Sequence, residues 1–311
     1  MNAFARQGGV LDGDPGVGVV LFGPTRVHRS GGTLDRAALG GVKPRQVLEI
    51  LAVAAGSPVP KDRLAEMLWD GHPPRSYAGT LESYVCLVRR ALGLSGRRSG
   101  IATVMHGYLL DPERLTVDLV EFRRLAGGAG GRSDDARLAE VERAVTLADG
   151  TLLASDEYAA WAVSERGVVA RQLASAAVEG AGCALRLGRH DTAVRLARLA
   201  VAQDGFDEAA CRVLITALDA AGRRPEAIRA YLELERSLSQ ELATVPSPST
   251  TRCYLSVLGR SDGPGEGRGG ARELRLLLDL VRERVHAVAG VDVSAADLCL
   301  GGLAAAIPSA G

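Results

Sequence analysis

The feature that most constrains the fold is a repeat in the second half of the chain. The motif LGRHDTA, which starts at Leu187, recurs as AGRRPEA, which starts at Ala221, and Gly188 and Gly222 are 34 residues apart. In each copy the glycine permits a tight turn, and the small residue that closes the motif permits close helix contact. A period of 34 residues is typical of tetratricopeptide helical hairpins. We therefore predict that residues 117–258 form stacked helical hairpins with a concave face.

The first part of the chain has a different pattern. Short apolar runs broken by Gly, Pro and Ser between residues 17 and 41 predict short antiparallel strands. Helical periodicity then predicts a first helix that ends at Gly56, a second that begins at Pro60 and a third over residues 76–92. Apolar residues on both sides of His106 predict a terminal hairpin. Strands, three helices and a hairpin indicate a winged helix-turn-helix, whose third helix contacts bases in DNA.

The third predicted helix lies in a locally basic stretch. Residues 71–110 contain five arginines and one acidic residue, although the whole chain has 37 basic and 37 acidic residues. Such a patch is typical of a nucleic-acid footprint, and a solvated arginine face is the alternative. We predict Ser83 and Arg90 as base contacts, and Arg89 and Arg75 as phosphate contacts. The full set of predicted DNA-binding residues is Arg75, Thr80, Glu82, Ser83, Cys86, Arg89, Arg90, Arg97, Arg98 and His106, with His106 near the minor groove.

Four of these assignments have a structural alternative. Arg89 would instead form a salt bridge to the second half of the chain, and Ser83 and Cys86 would simply lie on an exposed face. Glu82 would either accept a hydrogen bond from a cytosine amine or repel phosphate. Residues 116–259 contain 17 basic and 20 acidic residues, a net charge of −3, so we do not expect DNA contacts from them.

Composition and motifs argue against an enzyme. The chain has no Gly-rich phosphate loop and no GxSxG elbow, its five cysteines are scattered and its five histidines are isolated, so we predict no cofactor and no metal site. We interpret the acidic pairs at Asp134 and Asp156 as capping or solvated residues. We expect no signal peptide at the N-terminus, and the apolar run over residues 298–307 is too short to span a membrane. We expect a cytoplasmic protein that does not contact membranes.

The sequence resembles the SARP family, the actinomycete antibiotic regulatory proteins. The resemblance extends over residues 17–258 through LFGPTRV, KPRQVLEILAVAAGSPVPKDRLAEMLWDGHPP, TLESYVCLVRRALG, HGYLLD, LRLGRHDTAV and ALDAAGRRPEAIRAY. It implies an OmpR-like winged helix joined to a bacterial transcriptional activation domain. It also implies an activator of a secondary-metabolite gene cluster that binds direct repeats in double-stranded promoter DNA, self-associates there and engages RNA polymerase. The chain departs from the family pattern at several positions, which are Ala78, Glu82, Leu87, Leu109 and Ala148.

We therefore expect a mainly α fold with a small β component, a winged helix-turn-helix followed by a tetratricopeptide-like all-α domain. The predicted organisation is a disordered N-terminus (1–16), the DNA-binding domain (17–115), the activation domain (116–259), a linker (260–271) and a helical extension of unknown role (272–311). The alternative function is an adaptor or ligand-sensing helical-repeat protein with a weakened DNA-binding domain.

Overall fold

The computed structural model describes residues 16–29, 32–34, 38–93, 100–128 and 133–259. Nearly all of the predicted disordered N-terminus, the predicted linker and the predicted helical extension lie outside the described residues, as do Arg97 and Arg98. The chain divides into two compact units between Pro246 and Ser247.

The N-terminal strands form a small sheet, as the broken apolar runs predict. Its strands are β1 Val17–Val20, β2 Arg26–Arg29, β3 Gly32–Leu34 and β7 Thr116–Val117. Their order is β3-β2-β1-β7, in which β1 pairs antiparallel with β2, β2 antiparallel with β3, and β1 parallel with β7. Because β7 follows the predicted domain boundary at residue 115, this sheet connects the winged helix to what comes after it.

Three helices and a second sheet complete the winged helix-turn-helix. The elements are α1 Val42–Val53, β4 Val59–Pro60, α2 Lys61–Leu68, α3 Tyr77–Leu92, β5 Ile101–Val104 and β6 Gly107–Leu110. The sheet order is β4-β6-β5, and both pairings are antiparallel. Leu48, Leu51, Leu64 and Leu81 are fully buried among the three helices. The β5–β6 hairpin is the wing, and the predicted hairpin is confirmed.

Helices form nearly all of the described chain after β7. They are α4 Asp118–Gly127, α5 Asp134–Leu147, α6 Ala160–Arg186, α7 His190–Gln203, α8 Glu208–Ala220 and α9 Arg224–Glu241, with a 3-10 turn at Ala154–Asp156. Consecutive helices pack on one another from α5 to α9. The second compact unit contains α10, Pro248–Gly259.

The 34-residue repeat corresponds to two equivalent helix turns. Gly188, between α6 and α7, and Gly222, between α8 and α9, have left-handed φ values of 71° and 72°. In both turns the next residue donates its backbone N–H to a carbonyl five residues earlier at 2.8 Å, from Arg189 to Ala184 and from Arg223 to Leu218. These are Schellman motifs, which satisfy the terminal carbonyls of the preceding helix. The predicted tetratricopeptide-like pairs are therefore confirmed.

The N-terminal sheet is anchored to the helical part by Asp118. This buried carboxylate accepts hydrogen bonds from the backbone N–H groups of Leu21 at 2.9 Å and Phe22 at 3.0 Å. Burial raises the pKa of Asp118 to about 6, although the backbone donors oppose the shift. The Leu153 N–H also donates to the Leu21 carbonyl at 2.8 Å. The backbone hydrogen-bonding groups that follow β1 thus find their partners in the helical part.

A buried ionic cluster of Arg45, Glu49 and Asp156 forms a second anchor. The Arg45 guanidinium on α1 lies 2.6 Å from Glu49 and 2.6 Å from Asp156, and all three side chains are buried. Gln46 Nε2 donates to Asp156 at 2.5 Å, and Thr25 donates to Glu49. The interpretation of Asp156 as a capping or solvated residue is therefore wrong, because its partners are 110 and 111 residues away in sequence.

Candidate nucleic-acid interface

Packing of its apolar face fixes α3 in the winged helix. Leu81, Val85, Val88 and Leu92 recur at helical spacing and are buried. The helix ends at Gly93, whose φ of 70° is the left-handed conformation that favours glycine. Near this end Arg29 donates a hydrogen bond to the Ala91 carbonyl at 3.1 Å, where a cation also complements the helix dipole. The opposite face of α3 is consequently held in a defined orientation.

The opposite face of α3 is exposed and contains several of the predicted contact residues. Ser83, Cys86 and Arg90 are exposed, and a side chain at Gly79 would meet nothing within 4 Å. The Ser83 hydroxyl donates to the Gly79 carbonyl at 3.1 Å, which leaves its oxygen able to accept. Thr80 is half-buried and donates to the Ser76 carbonyl at 3.2 Å. Within the described part of the chain, the Arg90 guanidinium has no hydrogen-bond or ion-pair partner, although its carbonyl accepts the Gly93 N–H at 3.1 Å.

Arg89 attaches the wing to α3. Its Nε and Nη2 atoms donate to the Ile101 carbonyl at 3.0 and 2.8 Å, and Nη2 also contacts Thr103 Oγ1 at 2.9 Å. The alternative of a salt bridge to the second half of the chain is therefore wrong. The guanidinium positions β5 against the helix and leaves Nη1 without a hydrogen bond to the residues that the structure describes.

Glu82 forms an ion pair with a residue that the sequence did not single out. Its Oε1 lies 2.7 Å from Lys61 Nζ, at the start of α2, and the two side chains are 61% and 28% exposed. Hydrogen bonding to Glu82 is the main reason that the pKa of Lys61 is raised. The Lys61–Glu82 ion pair, which has no net charge, lies at the edge of the exposed α3 face.

The remaining described candidates flank this face. Arg75 is exposed just before α3. His106 is exposed at the turn of the wing with a φ of 65°, a conformation that non-glycine residues seldom adopt. Its carbonyl accepts the Lys61 backbone N–H at 2.9 Å, which ties the wing to α2. The neighbouring Met105 is 86% exposed, so the wing tip presents an apolar side chain. Arg97 and Arg98 lie in the undescribed segment between α3 and β5.

Three more of the residues that depart from the family pattern lie around the same surface. Leu87 is 38% exposed on α3, and its Cβ is 3.4 Å from the position a Cβ would take at Gly40. Ala78 is exposed at the start of α3, and Leu109 is half-buried in the wing. None of the three supplies a cation, so Arg75 and Arg90 are the candidates with freely available positive charge in the described part of this surface.

The described residues contain no group of three or more His, Cys, Asp or Glu side chains that could hold a metal ion. No helix among them is both long and apolar enough to cross a membrane. What the surface offers is a helix face with hydroxyl, thiol, guanidinium and carboxylate groups beside a hairpin. These are hydrogen-bonding and charged groups suited to recognition of a polar ligand.

Comparisons with known proteins agree with this architecture. Residues 117–258 match the model of the bacterial transcriptional activator domain. The chain is 30% identical to the regulatory protein DnrI of Streptomyces peucetius, over 80% of this chain and 94% of DnrI. It is 28% identical to the transcriptional regulator RedD of Streptomyces coelicolor, over 78% of this chain and 71% of RedD. Its fold resembles Mycobacterium tuberculosis EmbR in complex with a low-affinity phosphopeptide, with a TM-score of 0.67, 21% identity and coverage of 85% and 71%.

A winged helix followed by a tetratricopeptide-like helical array, with these relatives, defines a bacterial transcription regulator. The chain belongs to the SARP family of transcriptional activators, regulators of antibiotic biosynthesis, as its motifs predict.

Proposed function

We propose that this protein activates transcription by binding promoter DNA through the exposed face of α3. The observation that supports this most strongly is the exposed guanidinium of Arg90, which no described residue contacts, on a helix face whose opposite side is fully buried. A helix of this kind fits the major groove, where Arg pairs with the O6 and N7 atoms of guanine. Arg90 is assigned this contact, and Ser83, Thr80 and Cys86 line the same approach.

Phosphate contacts are assigned to residues beside the base-reading face. Arg75 precedes α3, and Arg97 and Arg98 lie in the segment between α3 and the wing. Arg89 holds the wing with Nε and Nη2, and its Nη1 remains for a phosphate oxygen. His106, at the turn of the wing, is assigned to the minor groove. Phosphate contacts set affinity and orientation, and base contacts set sequence preference.

The helical array is assigned to activation. We place the DNA-binding domain at residues 17–115 and the activation domain at 116–259. The net charge of −3 in the second of these argues against direct DNA contact. We infer that it holds protomers on adjacent direct repeats and engages RNA polymerase at promoters of a secondary-metabolite gene cluster, in the cytoplasm. Tethering two weak sites raises their joint affinity without a new base contact.

The buried anchors between the winged helix and the helical array support a fixed relation between DNA and the activation surface. Asp118 and the Arg45–Glu49–Asp156 cluster both join elements that are about 100 residues apart in sequence. Docking of α3 in a groove therefore sets the direction in which α5 to α9 project.

The test is a gel-shift assay of the full chain. The duplexes are taken from the DNA upstream of the genes that neighbour the gene of this protein. Arg90→Ala should weaken binding to the bound promoter and relax preference at one base pair. Arg89→Ala should weaken binding to all duplexes alike, because it removes wing support and a phosphate contact. If both variants lose the same affinity for every duplex, Arg90 contacts phosphate and not a base.

One observation favours the alternative of a ligand-sensing protein. A cleft of about 320 Å³ lies between α7, α8 and α9, and its walls combine apolar and charged side chains, with Val201 and Leu214 beside the Arg198–Glu226 ion pair of 2.5 Å. Its volume is at the lower limit for small-molecule sites. Absence of DNA binding together with saturable binding of a small molecule that Leu214→Trp abolishes would favour this function.

A further inference from the structure

Lys61 lies where α2, α3 and the wing meet. Its backbone N–H donates to the His106 carbonyl at 2.9 Å, and its ammonium lies 5.8 Å from the centre of the Tyr108 ring. The same ammonium donates to Glu82 Oε1 at 2.7 Å. A backbone bond, an aromatic ring and an ion pair therefore restrict the position of this side chain, although isolated exposed ion pairs are weak.

The ion pair leaves Glu82 with one free carboxylate oxygen at the edge of the exposed α3 face. Oε1 is occupied by Lys61, and in the described part of the chain Oε2 accepts no hydrogen bond. A carboxylate can accept but not donate. In the major groove it therefore suits the N4 amine of cytosine, whereas guanine presents two acceptors and adenine places the N7 acceptor beside its amine.

A carboxylate brought to DNA alone would be repelled by phosphates. Lys61 removes this obstacle because its charge cancels that of Glu82 at 2.7 Å. The pair as a unit is neutral, and the ammonium also limits the rotamers of Glu82. This accounts for a carboxylate on a surface that otherwise presents Arg75 and Arg90.

We propose that Glu82, held and neutralised by Lys61, specifies a cytosine in the major groove, with Lys61 as its positioning residue. This inference rests on the proposed DNA-binding function and names one base that the same surface selects. Lys61 was not among the residues predicted to contact DNA.

Glu82→Gln separates a specificity role from a structural one. A glutamine amide pairs with the N6 and N7 atoms of adenine, so the variant should exchange a cytosine for an adenine at one position of the bound sequence. Preference at that position should be roughly five- to tenfold in each protein, the lower part of the range for base contacts. A merely structural role would change affinity without changing the preferred base.

Lys61→Met and Lys61→Arg test the positioning role. Methionine keeps the apolar stem but leaves Glu82 charged beside DNA. The affinity for DNA should therefore fall, and the ratio by which cytosine is preferred over the other bases should become smaller. Arginine keeps the ion pair and should retain the wild-type preference. The matched control is Glu66→Gln on α2, which removes the carboxylate of the exposed Arg63–Glu66 pair at 3.1 Å and should leave the selected sequence unchanged.

The experiment is selection of the full-length wild type and each variant against a library of duplexes with a randomised core, followed by sequencing. Circular dichroism checks that each variant is folded, and Glu82→Gln alone decides the base assignment if Lys61→Met does not fold. A cytosine-to-adenine exchange in Glu82→Gln supports the proposal. The same enriched base in wild type and Glu82→Gln overturns it and leaves DNA binding intact. If the wild type enriches no sequence, the proposed function fails and this inference fails with it.

Discussion

Replacement of Glu49 by glutamine should flatten the dependence of stability on pH above neutrality. One guanidinium, Arg45, contacts two buried carboxylates, so the ionised cluster has an excess negative charge. The pKa of Glu49 is raised to about 8, first by burial and then by the neighbouring Asp156, and these two effects outweigh the opposing effects of Thr25 and Arg45. The folded protein therefore holds a proton on Glu49 that the unfolded chain releases near its ordinary pKa of 4.5.

The magnitude follows from the two pKa values. Because the folded-state pKa is the higher one, the stabilisation is fully present below the unfolded pKa and is lost as pH rises through about 8. Between about pH 6.5 and about pH 8.5 the loss should be about 2 kcal/mol. Asp118 has a pKa of about 6. Most of its own pH-dependent contribution to stability is therefore lost below this pH range. Glutamine keeps the shape of Glu49 and can donate to Asp156, but it does not titrate.

The assay is urea denaturation of wild type and Glu49→Gln at several pH values across that window, with Glu66→Gln as the exposed control. The difference between the wild-type and Glu49→Gln slopes isolates the Glu49 proton from groups that titrate in both proteins. We expect wild type and the control to lose about 2 kcal/mol more than Glu49→Gln. An equal decline in all three proteins would refute the assignment of the proton to Glu49.

Three further predictions concern the winged helix and the repeats. Arg90→Ala should cost about 1–3 kcal/mol of binding free energy on the preferred duplex and far less on others, as measured by fluorescence anisotropy; an equal loss on all duplexes would contradict base contact. Gly188→Ala should destabilise the chain by about 1–2 kcal/mol because its φ is 71°, whereas Gly79→Ala, in open space on α3, should not, and equal melting temperatures would contradict this. A fragment that ends at Leu115 lacks β7 and Asp118 and should lose cooperative unfolding in circular dichroism; a sharp transition like that of the full chain would show that these anchors are dispensable.

Local pattern was sufficient to predict the elements. The apolar period of α3 and the glycine after it predict a helix over residues 76–92, and the structure has Tyr77–Leu92. The repeated glycines at 188 and 222 predict turns between paired helices, and both adopt the same left-handed conformation. These features depend on residues close in sequence, for which periodicity and turn chemistry are direct signals.

Long-range ionic contacts could not be predicted in this way. Arg45 and Asp156 are 111 residues apart, and each alone resembles an ordinary surface residue. Lys61 follows Pro60 in the first turn of the second predicted helix, and its partner Glu82 is on the next helix. The pattern around Arg45 did contain one clue, because the residue lies within an apolar helix, where an unpaired charge would be costly. The partner of such a charge depends on the tertiary fold, so local sequence pattern does not identify it.

The proposed DNA-binding surface consists of the exposed face of α3 and the wing. The most direct test is the affinity of the full-length protein for a duplex selected from the randomised library, measured over a series of salt concentrations. Log affinity should fall linearly with log salt, with a slope of about −0.9 for each phosphate neutralised, and Arg75→Ala should make the slope shallower by about one such unit. An affinity that does not change with salt, or a slope that Arg75→Ala leaves unaltered, would contradict the assignment of this surface to DNA.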